Sequence, residues 1–146
     1  MIRCSNFEKN EYMKILLKEL MTPHPECVSA KDKLIDIKHI FERRNFHHHI
    51  PVTESGKVIG MISLIDFMHA IGNASLNDNE PVYQKSISDI MTTNVISLDQ
   101  GLPAEEALTI FLKNEIHAIP VVDKGKIVGI ITSTDILKHF AQKNEN

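Results

Sequence analysis

The sequence predicts a mixed α/β (α+β) fold made of two copies of one small unit. Three observations predict it: an internal repeat, matched pairs of short apolar strands, and an amphipathic helix before each pair. Leu20-Met21-Thr22 recurs as Ile90-Met91-Thr92, and Ile50-Pro51-Val52 recurs as Ile119-Pro120-Val121. The segment from Gly56 to Ser63 recurs from Gly125 to Thr132, and Asp66 recurs as Asp135. The offset is 70 residues up to His47 and 69 from Ile50 onward, so the His47-His48-His49 run holds one extra residue. A fixed self-similarity of this kind signals repeated supersecondary units.

Each copy has the same order of elements. A short extended piece comes first, around Val28 and again at Val95-Ile96-Ser97-Leu98. A helix follows. Ala104, Ala107, Leu108, Phe111 and Leu112 fall at i, i+3, i+4, i+7 and i+8, one apolar stripe. Leu34, Ile37, Ile40 and Phe41 do the same in the first copy, and Pro103 suits a first helical turn. Two strands come next, Ile50 to Thr53 with Val58 to Ser63, and Ile119 to Val122 with Ile127 to Thr132. Their apolar runs are nearly continuous, which predicts burial on both faces. Asp123-Lys124-Gly125-Lys126 reads as a tight hairpin with Gly at positive φ. A closing helix starts near Leu64 and near Ser133, with apolar positions Phe67, Met68 and Ile71, then Ile136, Leu137 and Phe140. A further helical pattern, Met13, Leu16, Leu17 and Leu20, stops before Pro23.

The expected organisation is a helical extension over 1–16, repeats over 17–72 and 87–141, a linker over 73–86 and a polar tail over 142–146. The linker is rich in Asn, Asp and Ser. A copy of roughly 55 residues is marginal alone, so two copies packed sheet to sheet around one shared core are expected.

Composition narrows the function. The chain has 146 residues, a formal charge of −3 and 42% hydrophobic residues. Its 16 Lys and Arg against 19 Asp and Glu disfavour a nucleic-acid partner. No apolar run approaches the roughly 18–20 residues that span a bilayer, so no membrane partner is expected. Cys4 and Cys27 form no C-x-x-C pair, and a reducing cytoplasm is the expected compartment. No nucleophile elbow, P-loop, H-E-x-x-H or Cys-His pattern is present, so no catalytic residue is assigned and no enzyme is expected.

The order Met-Thr, Ile-Pro-Val, then Gly-x-Ile-Ser/Thr-x-x-Asp resembles the CBS domain, the family named after cystathionine β-synthase. Two such copies resemble a CBS pair, or Bateman module, across about Leu17 to Ala141. The second copy is the closer match, through Ile119-Pro120-Val121-Val122-Asp123 and Gly129-Ile130-Ile131-Thr132-Ser133-Thr134-Asp135. The resemblance implies tandem βαββα units with pseudo-two-fold symmetry, two small sheets packed together and flanked by helices. It also implies a regulatory module that takes AMP, ADP, ATP or S-adenosylmethionine in clefts between the repeats. The module then signals to a partner protein of unknown identity, and pairs of this family often form homodimers. No cofactor is required beyond that regulatory ligand.

Ser63 and Asp66, then Thr132 and Asp135, match the family's ribose motif. A carboxylate accepts both hydroxyls of a ribose diol, and the Ser or Thr hydroxyl assists. The same spacing at a helix start is also a capping box, and one residue can serve both ends. Basic residues before Ile-Pro-Val contact phosphate in the family, and His48, His49 and His117 hold those positions here. Imidazole supplies a hydrogen-bond donor, and a second donor with charge when protonated. The alternative is that these histidines are exposed loop residues or simple strand-start residues. Three consecutive His in a strand entry point to alternate sides, so no metal site is assigned. An interaction module without ligand and a His-based metal sensor remain the alternatives. Gly60 and Gly129 suit close backbone approach, to a ligand or to a neighbouring strand.

Overall fold

A computed structural model describes residues 15–43 and 48–143. The elements run α1 (Leu17–Leu20), β1 (Thr22–Pro23), β2 (Val28–Ser29), α2 (Leu34–Phe41), β3 (His49–Glu54), β4 (Lys57–Ser63) and α3 (Leu64–Ile71). Two 3₁₀ turns follow, Pro81–Gln84 and Ile87–Asp89. Then come β5 (Leu98–Asp99), α4 (Ala104–Lys113), β6 (Ala118–Asp123), β7 (Lys126–Thr132) and α5 (Ser133–Lys143).

The chain divides into two compact units, and the division is not the one the repeats draw. One is the central unit, Pro25–Ile96; the other, the split unit, joins residues up to His24 to those from Ser97 onward. The central unit holds a three-stranded sheet in the order β2-β3-β4. β2 runs parallel to β3, and β3 pairs antiparallel with β4. The split unit holds four strands in the order β1-β7-β6-β5, with β5 parallel to β6 and β6 antiparallel to β7. Each hairpin turns through two positive-φ residues, Ser55 with Gly56 and Lys124 with Gly125. That is the turn whose twist matches paired strands.

Consecutive residues at the strand centres are buried, as continuous apolar runs require. Ile50, Pro51 and Val52 are enclosed on β3, and Ile119, Pro120 and Val121 on β6. Most of the buried apolar side chains fall into two clusters, one per unit, where the repeat led to the expectation of one shared core; Met61 and Ile130 are buried outside both clusters. Each unit closes its own core by borrowing the leading segment of the other repeat. Leu17 sits at zero exposure in the split unit, and Ile87 at zero exposure in the central unit.

Three expectations change at this level. Among the described residues, the helix expected over Met13 to Leu20 covers Leu17–Leu20, while Leu16 is extended and bridges Pro103. Pairing with another strand-like segment satisfies that backbone instead; Met13 lies outside the described residues. Leu112, Leu137 and Met68, placed on apolar helix stripes, are 78%, 68% and 58% exposed. Leu137 and Met68 directly follow the buried Ile136 and Phe67, about 100° further around the helix, where the core no longer reaches. The segment 73–86, which reads as linker, supplies a core residue. Tyr83 is fully buried, its ring stacked on Phe67 at 6.4 Å, and its hydroxyl donates to Ser75 O at 2.9 Å.

Candidate ligand-binding site

In both units a strand passes into a helix with no residue between them, β4 into α3 and β7 into α5. The first helical turn therefore needs partners for its free amides. Ser63 and Asp66 supply them in the central unit: Asp66 N donates to Ser63 Oγ at 3.0 Å, and Ser63 N donates to Asp66 Oδ2 at 2.8 Å. Thr132 and Asp135 repeat the arrangement, with Asp135 N donating to Thr132 Oγ1 at 3.2 Å and Thr132 N to Asp135 Oδ2 at 2.8 Å. Both motifs are thus realised as capping boxes. Each box engages one oxygen of its carboxylate, Oδ2, and uses the hydroxyl only as acceptor. Oδ1 and the hydroxyl proton stand outside the box. All four residues are half-buried.

The expected histidines lie at the same end of the sheet as the motif of their unit. The amide of Leu64 donates to His48 O at 2.8 Å, and that of Ser133 to His117 O at 3.1 Å. His49 pairs with Ser63 across β3 and β4, as Ala118 pairs with Thr132 across β6 and β7. The central unit therefore gathers Ser63, Asp66, His48 and His49. The split unit gathers Thr132, Asp135 and His117, with a methyl group where the other has a second imidazole. His48 and His117 are exposed, and His49 is half-buried. His47, the first of the run, lies outside the described residues. Among the described residues no group of three or more His, Cys, Asp or Glu could hold a metal ion.

Gly60 and Gly129 meet a neighbouring segment. A Cβ on Gly60 would fall 2.6 Å from Met91 Sδ and 3.1 Å from Thr92 O. One on Gly129 would run into Met21 Sδ and stand 3.0 Å from Thr22 O. The Met-Thr pairs, visible in the sequence only as repeat markers, are thus the knobs that fill the glycine gaps.

A cluster on α2 was not foreseen. Lys38 is 5% exposed, and its ammonium bonds Asp78 Oδ1 at 2.6 Å and Glu42 Oε1 at 2.5 Å. His39 Nε2 stands 3.1 Å from Asp78 Oδ2. The hydrogen bonds to Asp78 and then to Glu42 push the Lys38 ammonium up to about 12. Those from Lys38 and His39 hold the Asp78 carboxyl below its ordinary range. The available signal was a lysine four residues after Leu34, on the buried side of an apolar stripe. Burial, with Glu26 adding to it, pushes the Cys27 thiol up, and the protonated sulfur donates to Pro25 O at 3.4 Å. No helix among the described residues is long and apolar enough to cross a membrane.

The CBS domain family model matches residues 17–73 and 87–142. The chain is 33% identical over 129 residues to the uncharacterized protein MJ1232 of Methanocaldococcus jannaschii, covering 87% of this chain and 38% of that one. It is 30% identical over 129 residues to the L-aspartate semialdehyde sulfurtransferase of the same organism, covering 88% and 24% respectively. The chain thus spans about a quarter of the length of the sulfurtransferase and about two fifths of that of MJ1232. The CBS domain pair of protein MJ0100, solved in complex with 5-methylthioadenosine and S-adenosyl-L-methionine, is similar in structure. Its TM-score is 0.75 at 28% identity, over 88% of this chain and 98% of that one.

Proposed function

The chain belongs to the CBS domain family, and from that premise we propose that it is a regulatory module for an adenosine-containing ligand, AMP, ADP, ATP or S-adenosylmethionine. The observation that carries the reading is the double motif. Two equivalent strand-to-helix joints each present a half-buried carboxylate with one oxygen outside its capping box. That oxygen accepts from a ribose diol, and the Ser63 or Thr132 hydroxyl donates beside it. Where the ligand is a nucleotide, His48 and His49 in one unit, and His117 in the other, contact its phosphate. The adenosine ligands held by the similar MJ0100 pair support this choice. The bound state acts on a partner protein rather than on a reaction of its own. A second copy of the chain is a further partner, supported by exposed apolar residues at equivalent places on α3 and α5, Met68 and Leu137.

Calorimetric titration with AMP, ADP, ATP and S-adenosylmethionine tests the reading. Binding of at least one is expected, with loss of heat in Asp66→Asn or Asp135→Asn. Asparagine keeps one oxygen for the cap and replaces the other with a donor. No heat and no thermal shift with any of the four ligands would sink the proposal. The second reading, an interaction module without ligand, draws on the fact that helix capping already accounts for both motifs. It expects these substitutions to alter stability alone.

A further inference from the structure

The two strand-to-helix joints repeat each other bond for bond. The bond from Leu64 N to His48 O recurs from Ser133 N to His117 O. The box of Ser63 with Asp66 recurs as that of Thr132 with Asp135. The register matches as well, with His49 opposite Ser63 and Ala118 opposite Thr132, and a strand irregularity after Val52 and after Val121. A backbone repeated this closely lets the side chains be compared position by position.

Most of the comparison is even. His48 and His117 are the same residue, as are Asp66 and Asp135, and Ser63 and Thr132 both carry a hydroxyl. Ser133 stands where the central unit has Leu64, which adds a neutral hydroxyl to the split joint. Among these positions, one exchange alters the charge a joint can carry, His49 for Ala118. Both residues are half-buried at the start of their strands. The central joint therefore sets two imidazoles against one carboxylate, and the split joint sets one against one.

The adenosine ligands proposed above share the ribose diol and differ at the 5′ carbon. AMP, ADP and ATP carry a phosphate anion there, and S-adenosylmethionine carries a sulfonium cation. Directly opposite residues on paired strands have Cβ atoms about 4.5–5.5 Å apart on one face of the sheet. Position 49 thus lies beside the Ser63 hydroxyl, as position 118 lies beside that of Thr132. A neutral imidazole has one N–H to donate, and an imidazolium has two and a charge. Either form suits a phosphate. An imidazolium repels a sulfonium, and specificity draws on such repulsion as much as on attraction. The Ala118 methyl group does neither.

Resting on the ligand reading above, we infer that this strand-start residue sorts the ligands by charge. The central joint, with His49, takes the phosphorylated adenosine ligand, and the split joint, with Ala118, takes the sulfonium one.

Calorimetry on the intact chain tests the sorting. It is titrated with AMP, with S-adenosylmethionine, and with AMP after saturation by S-adenosylmethionine. The two are expected to bind together, one of each per chain. His49→Ala is expected to weaken AMP relative to S-adenosylmethionine by about tenfold or more, the effect of one hydrogen bond to a charged group. Ala118→His is expected to shift the same ratio in the opposite direction, so that AMP now displaces S-adenosylmethionine. Each substitution installs the residue that the other joint already holds at the equivalent position, and either decides alone if the other variant does not fold. Failure of both ligands to bind the intact chain would remove the ligand reading and the sorting with it. Binding of only one, mutual displacement in the intact chain, or a ratio that the substitutions leave unmoved would overturn the sorting alone.

Discussion

Asp66 and Asp135 each serve a helix start, and that role sets what their removal does. Replacing either with Ala removes one reciprocal capping bond and is expected to cost about 1 kcal/mol, read from chemical denaturation. Asp78 and Lys38 act through charge. A carboxyl depressed in the folded state binds its proton more weakly there than in the unfolded chain. Its stabilisation is therefore present above the ordinary value near 3.9 and lost as pH falls through the lower folded value. Lys38 behaves in the opposite sense. Its stabilisation is complete below the ordinary 10.5 and is lost as pH rises through about 12. Asp78→Asn is expected to flatten the acid limb of a stability-versus-pH curve, and Lys38→Met the alkaline limb. Unchanged limbs would show that the cluster contributes no net charge energy.

Gly60 and Gly129 set the spacing between elements. An added methyl at either must displace a methionine sulfur and crowd a threonine carbonyl. Gly60→Ala and Gly129→Ala are each expected to destabilise by about 1–3 kcal/mol, the range for overpacking, as a lowered denaturant midpoint. Their strands were readable because alternating and continuous apolar runs are local signals: β3 and β4 extend the expected spans by one residue at most ends. The segment 73–86 was less readable. Its run of Asn, Asp and Ser suits turns, and nothing local marks Tyr83 as a core residue. Tyr83→Phe is expected to cost about 1 kcal/mol through loss of the bond to Ser75, and Tyr83→Ala about 3–5 kcal/mol. Thermal denaturation of the two variants separates the hydroxyl from the ring.

At the scale of the whole molecule, the repeat and the compact unit are different objects. The family match covers 17–73, yet the central core also needs Tyr83, Ile87 and Met91. A fragment over 25–96 is expected to unfold cooperatively. A fragment over 17–73 is expected to lack a transition, because five members of its apolar cluster, Val82, Tyr83, Ile87, Ile90 and Met91, are missing. Circular dichroism during heating distinguishes them, and a sharp transition in the shorter fragment would contradict the assignment.

Amino-acid order alone established the repeat, the strand and helix pattern of each copy, the second hairpin turn and the two hydroxyl–acid motifs. Apart from the repeat, read as self-similarity at a 69 to 70 residue offset, each of these depends on residues within a few positions of one another, where periodicity, turn chemistry and capping act directly. The α+β architecture followed from them. The exchange of leading segments between the two units, the burial of Tyr83 and the pairing of Lys38 with Asp78 came only with the folded chain. These contacts join residues 16 to 108 positions apart. They are selected by which arrangement encloses the most apolar surface with its polar groups paired, and no local pattern encodes that comparison. The ribose and phosphate roles of Ser63, Asp66, Thr132, Asp135, His48, His49 and His117 rest on resemblance joined to geometry, and the titrations above decide them.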